Sequence, residues 1–240
     1  MITIKNNKNP TLHKPTFTVD NKLSDKLDNI EVFKLMNKSH FSLFLGKAGS
    51  GKSSLCVSFL NSNDAFKKVF HNIFLFCPAN SRKSIKNDFW GSNLPEENIF
   101  DDLTIDNLKE VYSIAEEDAQ EDFKTLIVLD DVQKFLKGDC EKFLLHMVNN
   151  RRHAKLTIWL CCQTYKSIPM QVRQALTDLF IFKVSKNEIK NIFDEQIELY
   201  KDKFELILNN IYKKPHSHLY INNGSQKFFD NWNEIIIKEI

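Results

Sequence analysis

With 240 residues, 42% of them hydrophobic, the chain can bury one substantial core, which favours a single α/β domain with appendages over two full domains. Its longest apolar runs, LIVL at 126–129 and LTIWLCC at 156–162, are strand-length, so no membrane-spanning helix is predicted; the opening MITIKNNKNPTLHK lacks the apolar stretch of a secretory signal, and the protein is expected to stay inside a cell. A formal net charge of +2 is too small to diagnose nucleic-acid binding, so any basic surface must be local.

Residues 1–38 are polar and rich in Lys and Asn, and read as an arm that ends in a short packed segment at 30–36. From Phe41 brief apolar runs alternate with segments of helical period, the pattern of βαβ units around a parallel sheet. Strands are predicted at 41–45, 70–77, 124–130, 156–162 and 178–184. Helices are predicted at 52–61, 104–120, 139–150, 169–176 and, with a break, 187–212. The stretch PANSRKSIKNDFWGSNLPEE at 78–97 carries Pro, Gly, Ser and Asn throughout and reads as a long functional or mobile loop. After Pro215, HSHLYINN and SQKFF flank Asn223-Gly224 as a hairpin. The domain reading is therefore an arm at 1–38, a core at 39–185 and a helical segment with a hairpin at 186–240. Five cysteines, Cys56, Cys77, Cys140, Cys161 and Cys162, lack metal-ligand spacing and are expected to be buried free thiols in a reducing compartment.

GKAGSGKS at 46–53 matches G-x-x-x-x-G-K-[ST] and lies where that motif must lie, directly after a strand and directly before a helix. Gly46, Gly49 and Gly51 let the loop curl so that backbone N–H groups face phosphates, and the helix that follows presents its positive end. Lys52 would reach the β- and γ-phosphates of ATP, Ser53 would place its hydroxyl on Mg²⁺, and Lys47, Ala48, Ser50 and Ser54 complete the candidate nucleotide-binding set.

LIVLDD at 126–131 is an apolar strand ending in two carboxylates, as in a Walker B element. Asp130 would hold Mg²⁺. Asp131 is either the acid that polarises the attacking water or the N-cap of the next helix. Gln163, at the tip of the neighbouring strand, is either a sensor of γ-phosphate and water or an ordinary strand-end amide. Arg173, after Pro169, either reaches the nucleotide or a neighbouring subunit, or makes a surface ion pair.

Only four of the 33 basic residues are arginines, and two of them are adjacent, Arg151 and Arg152. Guanidinium grips phosphate with two donors at once, which ammonium does not. On a helical wheel Phe143, Leu144, Met147 and Val148 form one face that Arg151 continues, whereas Arg152 falls at its edge. Arg151 therefore suits a helix-end role, and Arg152 suits a charge delivered into another subunit's site, worth about 10³ to 10⁵ in rate where such fingers operate.

The order GKAGSGKS, LIVLDD, RRH and TIWLCCQTYKSIPMQVRQALTDLFIFK resembles the poxvirus-type DNA-packaging ATPases of large double-stranded DNA viruses and their virophage and polinton relatives, within the FtsK-HerA superfamily. The resemblance covers about 40–185. It implies an α/β fold, a P-loop NTPase with a RecA-like (ASCE), mostly parallel sheet flanked by helices and a small C-terminal α/β extension. It implies a Mg²⁺-dependent ATPase that translocates double-stranded DNA into a preformed capsid, working as a homo-oligomeric ring, pentamer or hexamer, with Arg152 in trans. Capsid or portal-vertex proteins would be its partners, and the host-cell cytoplasm at the virus factory, or the virion, its location. Two departures stand out: the position of Arg151 is often small or polar in the family, and the second Walker B acid is Asp rather than Glu. Arg82, Lys83, Lys86 and Lys166 are either phosphate contacts along a DNA channel or solvated surface charge. The alternatives are a nucleotide-gated DNA-binding or capsid-assembly scaffold and a P-loop nucleotide kinase. A kinase would need more lid arginines than four.

Overall fold

The computed structural model describes residues 2–4, 35–36, 39–83, 89–199 and 201–237. In chain order the elements are β1 (Ile2–Ile4), β2 (Phe41–Leu45), α1 (Lys52–Asn61), β3 (Asn72–Phe76), α2 (Ala79–Lys83), α3 (Phe89–Asn93), β4 (Ile99–Phe100), α4 (Ile105–Gln120) and β5 (Thr125–Asp130). There follow α5 (Asp139–Asn150), β6 (Leu156–Cys162), α6 (Met170–Gln174), β7 (Asp178–Phe182), α7 (Lys186–Gln196), α8 (Lys201–Asn210), β8 (His218–Asn222), β9 (Lys227–Asp230) and β10 (Asn233–Ile237). Short 3-10 turns occupy Glu96–Asn98, Gln133–Phe135 and Tyr165–Ser167. The fold is mixed α/β, and no helix among the described residues is long and apolar enough to cross a membrane.

Two compact units emerge, and neither is continuous in sequence: one comprises 1–37, 44–67 and 177–240, the other 38–43 and 68–176. β2 spans the boundary, with three residues in the second unit and two in the first. The second unit holds the parallel strands β6-β5-β3-β4, in that order beside the start of β2, with β5 paired in parallel to β3 and β6, and β3 to β4. β5 and β6 are buried at every residue, as strands of a parallel sheet covered on both faces must be, and this is why their sequences are apolar runs with no alternation. α4 starts where Thr104 Oγ1 accepts from Asn107 N, and buries Leu108, Val111, Tyr112 and Ala115 on one stripe. α5 buries Leu144, Met147 and Val148, the face read from the sequence, while the Phe143 ring meets Tyr112 edge-on at 5.8 Å.

The first unit carries an antiparallel region, β1-β10-β9-β8-β7, next to the end of β2. Its core is a ladder of stacked rings across four strands: Phe44 on Phe180 at 4.8 Å, Phe180 on Tyr220 at 4.7 Å, and Tyr220 on Phe229 at 5.1 Å. Phe59 of α1 sets its edge against Phe44 and Phe180, at 5.9 and 5.4 Å. Aromatic pairs of this kind contribute about 0.5–1.5 kcal/mol each beyond area burial. They fix α1, and with it the loop that leads into α1.

The predicted strands, helices and hairpin fall on observed elements within a few residues, and the expected break in the last helix lies between α7 and α8. The loop reading of 78–97 is corrected: α2, α3 and a 3-10 turn occupy much of it, anchored by Trp90, which is 1% exposed. Of the expected arm, Ile2–Ile4 pair with Ile235–Ile237 in β10, and Met36 is buried, while the rest of 1–34 lies outside the described residues. Cys56, Cys77, Cys161 and Cys162 are buried free thiols as expected; Cys140 is free but half-buried, because it opens the first turn of α5.

Candidate nucleotide site

The 46–53 loop belongs to the first unit, and its geometry follows from its glycines. Gly49 and Gly51 have φ of 72° and 110°, a region that a side chain disfavours. At Gly46 a Cβ would collide with Ser50 Oγ and come within 2.8 Å of Phe182 Cβ, so only glycine lets the loop turn so close to β7. Gly51 is the N-cap of α1 and offers no side-chain acceptor, and the first turn of α1 carries no acidic residue. The positive end of the helix is thus left to an external anion. Lys52 Nζ donates to the carbonyls of Gly46 and Lys47 at 2.8 and 3.1 Å, which holds the ammonium across the mouth of the loop. Ser50 Oγ is buried without a hydrogen-bond partner among the described residues. Lys47, Ala48, Gly49 and Ser54 are exposed, and Ser53 is half-buried.

The acidic element belongs to the second unit. Asp130 ends β5 and is 8% exposed. Asp131 follows with φ 60°, a left-handed conformation that Asp adopts more readily than most side chains, and its backbone N–H donates to Cys161 O at 3.2 Å. Its carboxylate takes three hydrogen bonds: Ser81 Oγ donates to Oδ2 at 2.9 Å, and Gln163 Nε2 and Gln133 Nε2 donate to Oδ1 at 3.2 and 3.3 Å. The capping alternative is corrected. The N-cap of the 3-10 turn at Gln133–Phe135 is Val132 and that of α5 is Gly138, so the Asp131 side chain caps neither. Three neutral donors, one from each of three chain segments, fix the carboxylate in direction, and Gln163 is one of them. Neither Ser81 nor Gln133 was marked by the sequence. Gln133 stands two residues from Asp131, a separation at which an amide can reach back, but Ser81 lies 50 positions away and carries no local signal.

The arginines divide as the helical wheel suggests. Arg151 is the C-cap of α5, where Nη1 donates to Val148 O at 2.6 Å, a carbonyl at the negative end of the helix, and Nε donates to Ser39 O, just before β2, at 3.1 Å. Arg152 is exposed in the turn that precedes β6, and has no ion pair with a described residue. It stands at the opposite end of β6 from Gln163, and seven strand residues separate the two ends by about 23 Å at ~3.3 Å per residue. Arg152 therefore cannot reach the Asp131–Gln163 cluster of its own chain. The reading of Arg173 as a surface ion pair is corrected. It is 5% exposed, Nη1 donates to Ile168 O, and the guanidinium lies 5.0 Å over the Tyr165 ring, which turns it inward. Among the candidate DNA contacts, Arg82 pairs with Asp101 at 3.2 Å and Lys166 is exposed, whereas Lys86 and the side chain of Lys83 lie outside the described residues.

Within the first unit, the glycine turn that a Cβ would fill, the uncapped helix end and Lys52 suit the phosphates of a nucleotide. The Ser53 hydroxyl of that unit and the Asp130 carboxylate of the second are each a hard oxygen donor of the kind that Mg²⁺ takes.

Comparison with known proteins gives the family and the fold. A family model described as Poxvirus A32 protein matches residues 29–221. Curated relatives include the DNA packaging protein OPG160 of Variola virus and of Vaccinia virus (strain Copenhagen), each 26% identical over 153 residues, covering 61% of this chain and 54% of theirs. The chain thus spans about half the length of the curated relatives it matches. Among solved structures, B204, the DNA-packaging ATPase from Sulfolobus Turreted Icosahedral Virus, superposes with a TM-score of 0.60 at 14% identity over 85% of this chain and 100% of that one. The genome packaging NTPase B204 from Sulfolobus turreted icosahedral virus 2, in complex with ATP-gammaS, gives 0.56 at 16% identity over 81% and 97%. EssC (ATPases 2 and 3) from Geobacillus thermodenitrificans gives 0.54 at 15% identity over 83% and 39%. These likenesses show the P-loop ATPase fold, and the match over 29–221 shows the family: the chain belongs to the poxvirus A32 protein family.

Proposed function

We propose that this protein is an ATP-hydrolysing motor that moves double-stranded viral DNA into a preformed capsid. The observation that carries the hydrolytic part is the Asp131 carboxylate, held by Ser81, Gln133 and Gln163 just beyond β5. An acid aimed in this way takes a proton from water as it attacks the γ-phosphate, and phosphate transfer to a bound acceptor does not require it. The loop N–H groups and Lys52 orient the β- and γ-phosphates and offset the charge that builds on them as the bond breaks. Gln163 orients the same water through its amide. Ser53 and Asp130 would offer oxygen ligands to Mg²⁺, which would neutralise charge at the phosphate oxygens.

The DNA part rests on the family and on relatives named as DNA packaging proteins. The exposed Arg152, remote from the acid cluster of its own chain, supports a homo-oligomeric ring, pentamer or hexamer, in which each Arg152 serves a neighbour's ATP. Capsid or portal-vertex proteins in the host-cell cytoplasm are the partners this role calls for. Product analysis tests the reaction class. With Mg²⁺ and ATP alone the protein is expected to release ADP and inorganic phosphate. Turnover only with a small phosphate acceptor would make it a kinase, and nucleotide-dependent assembly with no turnover would make it a scaffold.

A further inference from the structure

Beside the phosphate loop, within the same unit, lies a cavity of about 340 Å³. Gly49 and Ser50 form one side, and Phe182, Lys213, Pro215 and His216 stand among those that form the other. We propose that this cavity receives the nucleoside, base and ribose, of the nucleotide whose phosphates the loop binds, with His216 as the residue that positions it. The inference rests on the phosphate-loop assignment and extends the site to the segment between α8 and β8.

Three observations converge. First, the cavity adjoins the loop, and a loop of backbone N–H groups reaches phosphates only, so the rest of the ligand must occupy adjoining space; ~300 Å³ is the lower end of the range for small-molecule sites. Second, the far wall is tied to the loop. His216 Nδ1 lies 3.0 Å from Ser50 O, and since a carbonyl only accepts, Nδ1 carries the proton. In the neutral ring Nε2 is then an acceptor, suited to a ribose hydroxyl or an exocyclic amino group. His216 holds φ 61°, a strained backbone retained at this one place in the segment. A Cβ at Gly51 would stand 3.3 Å from Phe182 Cε1 and 3.4 Å from His216 Nδ1, so loop and wall are in near contact. Third, the wall presents flat, apolar surface. Tyr212 donates its hydroxyl to Ile181 O at 3.0 Å, which pins the ring, and burial pushes the phenol up so that it stays neutral. Phe182 and Pro215 add apolar surface, and Lys213 and Lys214 are exposed. An aromatic heterocycle that offers hydrogen-bond donors matches this wall, as the adenine and ribose of the ATP proposed above do.

Titration of the intact chain with ATP and, separately, with inorganic tripolyphosphate separates the two parts of the ligand. For the wild type ATP should bind more tightly. His216→Ala should weaken ATP about tenfold, the net worth of an ordinary hydrogen bond, and leave tripolyphosphate within about twofold. Lys52→Ala should weaken both. Photolabelling with 8-azido-ATP, which does not depend on a variant folding, should mark the peptide that contains 212–217. Equal loss of both ligands on His216→Ala, wild-type affinities that do not differ, or a label confined elsewhere would overturn the nucleoside assignment alone. Unchanged affinity of Lys52→Ala for both ligands would overturn the phosphate-loop assignment and this inference with it.

Discussion

Replacing Ser81 by Ala removes the shortest of the three hydrogen bonds that Asp131 receives and leaves those from Gln163 and Gln133. A hydrogen bond to a charged group contributes about 1.5–3 kcal/mol net, so a carboxylate that must keep its aim loses at most that, about 10- to 150-fold in kcat. Asp131→Asn removes the proton acceptor itself and should cost about 10²- to 10⁴-fold, the usual value of a general base. If Ser81 acts through Asp131, the double variant should be no slower than Asp131→Asn alone, because no aimed base remains to be disturbed. Phosphate release at saturating ATP, with KM measured in parallel, reads all four proteins. The reasoning fails if Ser81→Ala slows the Asp131→Asn background as much as it slows the wild type, or if it changes KM and leaves kcat alone.

Three further outcomes are expected. Gly46→Ala forces a methyl against Ser50 and Phe182, and overpacking of this kind costs about 1–3 kcal/mol, so denaturant titration should show that loss together with weakened ATP binding; wild-type stability and binding would contradict the loop geometry. Burial against Phe180, Phe182 and Trp232 pushes His218 down to about 4 from its ordinary 6.5, so the unfolded chain takes up the proton first. This residue carries no penalty above pH ~6.5 and a growing one as pH falls towards ~4, on the order of 3 kcal/mol in all, and His218→Leu should lose stability more shallowly over that window than the wild type does. Identical slopes would exclude the effect. Arg152→Ala and Lys52→Ala subunits, each inactive alone, should recover part of the ATPase activity when mixed, and no recovery at any ratio in demonstrably mixed assemblies would remove Arg152 from a neighbour's site.

The features legible in sequence are those set by local physics. β5 and β6 were visible because burial on both faces demands an apolar run, and the phosphate loop because turns with positive φ demand Gly49 and Gly51. The division between Arg151 and Arg152 was visible because a helix rotates successive side chains away from one another. What was hidden depends on chain segments that meet only in the fold. Ser81 reaches Asp131 across 50 positions, and His216 reaches Ser50 across 166. The 78–97 segment was misread because its Gly, Pro, Ser and Asn content is that of a loop, and the burial of Trp90, a tertiary fact, outweighs those propensities. Arg173 stayed open between two readings for a related reason: arginine is mostly exposed, and its burial, with contacts to a carbonyl and a Tyr ring on its own chain, is a tertiary fact.

The measurement that bears most directly on the proposed motor is steady-state ATP turnover by the intact chain as duplex DNA is added, beside the same titration for Lys52→Ala. Turnover that rises with duplex DNA and is lost in the variant is the predicted result. Turnover indifferent to DNA at every ratio, or equal in the two proteins, would contradict it.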